Sequence, residues 1–161
     1  MKIPEIISQC SQKGEKVFWA DADGREAIAY RRSLIYFMDE GTAAEIKKNT
    51  KGEIEENEKL VRYFDVIEDI EGVHGKAEAF LSSRDKTPGG IDAFVLETMD
   101  GQVRWVDKKL LENFQITRKY YLDAKGKWPD MVFIEEDGQL VGLVMALKRE
   151  LYADEEGRKK K

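Results

Sequence analysis

Apolar residues along this chain come in short runs separated by polar positions, and three of those runs fold back on themselves at an Asp-Gly dipeptide. The three units are Val17–Tyr30 around Asp23-Gly24, Phe94–Val106 around Asp100-Gly101, and Met131–Leu147 around Asp137-Gly138. Asp-Gly between strand-like residues predicts a hairpin, because a type I′ turn needs positive φ at both central positions. The pattern predicts an α+β fold in one domain, residues 1–153, with a charged tail over 154–161 that lacks apolar anchors. It consists of an antiparallel, hairpin-built sheet of about six to nine strands and about two to four short helices.

Placing each Asp-Gly in a two-residue turn fixes which residues face each other. In the second unit Thr98 opposes Val103, Glu97 opposes Arg104, and Leu96 opposes Trp105, which gives one apolar face and one salt-bridged face. In the third, Ile134 meets Val141, Phe133 meets Gly142, Val132 meets Leu143 and Met131 meets Val144. Both of its faces are apolar, so it belongs in the middle of the sheet under helices. The first unit sets Asp21 against Glu26, and like charges directly opposed destabilise a ladder. A longer, four-residue loop with solvated acids relieves that conflict, and a cation among Asp21, Asp23 and Glu26 is the alternative.

Between the hairpins the spacing predicts a short opening helix over residues 4–13, with Pro4 in its first turn. Two strand segments bent near Arg31-Arg32 follow over 26–38, a single helix being the alternative. Thr42-Ala43-Ala44-Glu45 has the form of a capping box and starts a helix running to about Asn49. In the acidic tract 53–72 the expectation is a helix first and a strand from about Leu60. A turn and strand follow over 72–80, and Ser82–Gly90 is a flexible loop. Asp107 caps a helical turn whose Leu110, Leu111 and Phe114 form one apolar stripe. Alternation from Ile116 to Leu122 predicts one more strand.

Composition narrows the class without naming a function. At 161 residues the chain can bury about two-thirds of its unfolded surface. Residues 40–71 hold ten acids against five bases and so account for the whole formal charge of −5. That balance disfavours a broad phosphate-binding surface. The single cysteine, Cys10, precludes an intrachain disulfide and fits a reducing compartment. Neither a signal-peptide core nor a transmembrane run is read, so the expected location is cytoplasmic.

No catalytic constellation is read, and no cofactor. His74 and Cys10 are single residues without a zinc or nucleophile signature around them. No G-x-S-x-G surrounds Ser82, Ser83 or Thr87, and no phosphate cradle follows Gly89-Gly90. Aromatic residues in the strands, Trp19, Tyr30, Trp105, Tyr120 and Tyr121, are the candidate surface for a ligand or partner. Arg31-Arg32, Arg118-Lys119 beside Tyr120-Tyr121, and Lys125–Trp128 interleave bases with aromatics, as single-strand binders do.

The stretch IDAFVLETMDGQVRWVDKKLLENF followed by PDMVFIEEDGQLVGLVMALKRE resembles the closing part of a bacterial sliding-clamp domain. The shared pattern is a hairpin, a short helix and a terminal strand pair that ends in an apolar run and a basic residue. The resemblance implies a nucleic-acid accessory role. The leading expectation remains a non-catalytic binding or accessory protein with a protein partner, a second copy included. Nucleic acid stands behind that, a carboxylate- or metal-dependent enzyme further behind, and no membrane association is expected.

Overall fold

In the computed structural model, which describes residues 1–22 and 24–148, the alternating runs become one sheet of ten strands. They are β1 (Val17–Ala22), β2 (Arg25–Tyr30), β3 (Leu34–Asp39), β4 (Ile54–Glu56), β5 (Lys76–Lys86), β6 (Asp92–Thr98), β7 (Val103–Asp107), β8 (Lys119–Asp123), β9 (Met131–Glu136) and β10 (Gln139–Met145). Their spatial order is β4-β1-β2-β3-β10-β9-β8-β5-β6-β7, antiparallel except where β4 lies parallel to β1. Three helices accompany them, α1 (Ile3–Cys10), α2 (Glu40–Asn49) and α3 (Arg62–Glu71), with 3-10 turns over Glu58–Val61 and Lys108–Leu111. The α+β class holds, with more strands than expected.

The sheet separates two apolar cores. On its inner face Ile6 and Cys10 of α1, Ala43 and Ile46 of α2, and the Leu110–Leu111–Phe114 stripe pack against Ile28, Tyr36, Leu96, Ile134 and Val144. On its outer face Phe64, Ile67 and Ile70 of α3, spaced three apart, meet Ala27, Phe37, Phe133 and Leu143. The β9–β10 hairpin feeds both cores from the centre, as its doubly apolar pattern requires.

Several expectations give way to stronger local physics. Helix α2 starts at Glu40, capped by Asp39 Oδ1 accepting from Thr42 N at 2.7 Å, so Thr42 lies inside the first turn instead of capping it. The acidic tract is ordered the other way round, with strand β4 first and helix α3 after it. Helical spacing of Phe64, Ile67 and Ile70 buries all three, whereas a strand would turn alternate residues to solvent. Residues 82–86 belong to β5 because β6 supplies ladder partners as far as Lys86↔Asp92. The turn shrinks to 87–91, where Thr87 Oγ1 accepts from Ile91 N and Gly90 takes a φ of 85°.

The hairpins differ in register. In the first, Ala22 pairs with Arg25 and Asp21 with Glu26, so the two-residue turn forms and the longer loop does not. In the second, Thr98 joins the turn: its N–H donates to Gln102 O and its carbonyl accepts from Gly101 N. Pairing therefore resumes at Glu97↔Val103 and Leu96↔Arg104, and the expected Glu97–Arg104 pair is not made. In the third, a bulge at Val141 places Gly142 opposite Ile134 and Leu143 opposite Phe133, one residue off the expected register. The tail 154–161 and Asp23 lie outside the described residues.

Candidate functional site

The five aromatic candidates divide between the two faces of the sheet. Trp19, Tyr30 and Tyr120 belong to the inner core or pack against it. Lys47 Nζ lies 3.9 Å from the centre of the Trp19 ring, Tyr30 Oη donates to Gln12 Oε1, and Tyr120 Oη accepts from Arg118 Nε at 2.8 Å. Tyr121 packs against the outer core with Lys76 over its ring at 4.5 Å. Trp105 lies opposite Val95, on the face turned away from inner-core Phe94 and Val106. These residues do not form one concave surface.

The acidic candidates acquire a counter-ion of the protein's own. Glu26 is buried and accepts from Lys47 Nζ at 2.6 Å, which removes the repulsion from exposed Asp21. Among the described residues no group of three or more His, Cys, Asp or Glu is placed to hold a metal ion. Burial pushes the Cys10 thiol up to about 11, which keeps it protonated and a poor nucleophile.

His74 is bonded to Asp123 instead, Nδ1 to Oδ2 at 3.1 Å. The Asp123 carboxylate also accepts from Lys125 N at 2.8 Å and Trp128 N at 3.2 Å, and so folds the 123–128 turn around itself. Burial alone would raise its pKa. The bonds from Lys125 N, His74 and Trp128 N outweigh burial and hold it below the ordinary aspartate value. The only local hint in the sequence is Asp123 two residues before Lys125-Gly126, an Asx-turn pattern.

A different feature presents itself to solvent. Strand β8 pairs with β5 only over Lys76–Ala79, whereas β6 pairs with β5 as far as Lys86. Among the described residues, one edge of β5 is therefore unpaired from Phe80 to Lys86. Phe80 is 50% exposed and Leu81 38% exposed on this segment. A bulge between Leu81 and Ser83 is tied back to β6 by Ser82 Oγ donating to Val95 O at 3.1 Å. Beyond it Arg84 lies over Phe94 and Lys86 faces Asp92, charges that guard the far end against unspecific strand pairing.

No family model, curated protein or solved structure matches the chain. Among the described residues, no helix is long and apolar enough to cross a membrane.

Proposed function

We propose that this is a non-catalytic binding or accessory protein, acting in the cytoplasm, that takes an extended segment of a partner protein along the free edge of β5. The observation that carries the reading is the unpaired stretch Phe80–Lys86 with two half-exposed apolar side chains at its start. An edge of this kind offers main-chain hydrogen bonds for affinity, and Phe80 and Leu81, on opposite faces of the strand, give side-chain selectivity. A second copy of the chain is one such partner.

Peptides selected from a random library against the protein are expected to protect the amides of 80–86 from exchange. Their affinity should fall about tenfold or more in Phe80→Asp or Leu81→Asp, which matches the loss of one buried apolar side chain. Light scattering reads self-association in the same variants. Selected peptides that bind both variants as well as the native protein, or that protect other amides, would remove the proposal.

Nucleic-acid association has less support. Arg31 lies over Tyr30 at 5.1 Å, Arg118 over Tyr120 at 5.7 Å and Lys127 over Trp128 at 4.9 Å. The interleaved bases and aromatics that suggested stacking thus satisfy each other, and a nucleobase would have to displace the protein's own cation.

A further inference from the structure

On the outer face, beside the Glu58–Val61 turn, lies a groove of about 610 Å³. Phe18, Ile35 and Leu60 give it an apolar floor, and Arg32, Lys59 and Arg62 stand on its rim. Arg31 also lines it but is held by Glu15, which accepts from Nε at 3.1 Å and from Nη2 at 2.8 Å. Arg62 donates to Tyr63 Oη at 2.7 Å and lies over that ring. None of Arg32, Lys59 and Arg62 has a carboxylate partner among the described residues, and Glu58 is the one acid in the lining.

We infer that this groove binds a compact organic anion. An apolar or aromatic body rests on the Phe18–Ile35–Leu60 floor, and a carboxylate, sulfonate or phosphate group meets Arg32, Lys59 and Arg62. The volume falls in the range of small-molecule sites, which pair an apolar lining with a few converging polar groups. The chain as a whole carries −5, so three cations without a carboxylate partner around one apolar floor run against its own charge balance. The cationic zone is also short. Exposed Glu55 on β4, paired with Phe18 and so on the same face, stands near it with Glu58, and both would repel a long polyanion passing over the rim.

Fluorescence titration with 8-anilinonaphthalene-1-sulfonate tests this, with uncharged N-phenyl-1-naphthylamine as the matched body lacking the anion. The sulfonate is expected to bind saturably at one site, weakening about tenfold or more in the Arg32→Gln, Lys59→Gln double variant. The uncharged dye should bind more weakly and be indifferent to that change. Lys86→Gln, far along the sheet, should leave the sulfonate's affinity as it was. Displacement by decanoate or by 1-naphthyl phosphate then tells an aliphatic carboxylate source from an aryl phosphate one. Equal sulfonate binding by the native and double-variant proteins would overturn the inference. So would displacement by neither small anion, or by a single-stranded oligonucleotide at lower concentration than both.

Discussion

At the scale of single residues, two buried polar groups carry opposite expectations. The Asp123 carboxylate is 1% exposed and anchors a turn with three hydrogen bonds. Asp123→Asn is expected to cost about 1.5–3 kcal/mol near neutral pH, because a charge-assisted acceptor is lost. The folded-state pKa is depressed, so the ionised form's contribution is fully present above the unfolded value of about 4 and fades as pH falls through the folded one. Melting curves of native and variant protein should therefore converge as the pH drops below about 4. A gap that stays constant down to pH 2 would deny Asp123 this role. Trp128 Nε1, by contrast, is buried without a hydrogen-bond partner. Trp128→Phe removes a donor that folding leaves unsatisfied, and urea unfolding should show it neutral or stabilising by about 1 kcal/mol. A loss larger than that would mean that indole packing outweighs the orphaned donor.

At the scale of elements, the third hairpin shows how far a sequence pattern reaches. Its position at the centre of the sheet and its two apolar faces follow from the near-continuous apolar runs of Met131–Glu136 and Gln139–Met145. The bulge at Val141 does not, because it is set by what packs against the strand. Gly142 faces the buried Phe114 ring so closely that any Cβ there would overlap it. Gly142→Ala is expected to destabilise by about 1–3 kcal/mol through overpacking, read from chemical denaturation, and Phe114→Leu should recover part of the loss. If the alanine is tolerated without cost, the ring has room the structure does not show. The same division holds elsewhere. The bend at Arg31-Arg32, the Asp107 cap and the Leu110–Leu111–Phe114 stripe are local and legible in the sequence. Strand β4 and the continuation of β5 to Lys86 depend on β1 and β6, which lie far off along the chain. The free edge of β5 was equally hidden, since it arises from where β8 stops pairing.

At the scale of the molecule, one sheet serves two cores, and its central strands couple them. Phe133 and Leu143 face α3, while Val132, Ile134 and Val144 face the α1 and α2 side. Neither core can open without exposing the strands that close the other, so denaturation should be a single transition by tryptophan fluorescence and circular dichroism alike. The far end of the β5–β6 hairpin stands apart from that unit. From Leu81 to Lys86 the side chains of β5 are exposed, and only β6 bonds to it there. Few buried contacts and solvent on one edge define a segment that opens locally at low free energy. Native-state hydrogen exchange should therefore find the amides of 132–134 and 143–144 exchanging only through global unfolding. Those of 81–86 should exchange far faster, by an opening insensitive to denaturant. A hairpin end protected as strongly as the central strands, or two separable unfolding transitions, would contradict this arrangement. If the contrast holds, the segment proposed to receive a partner strand is also the part of the sheet that rearranges at least cost to the cores.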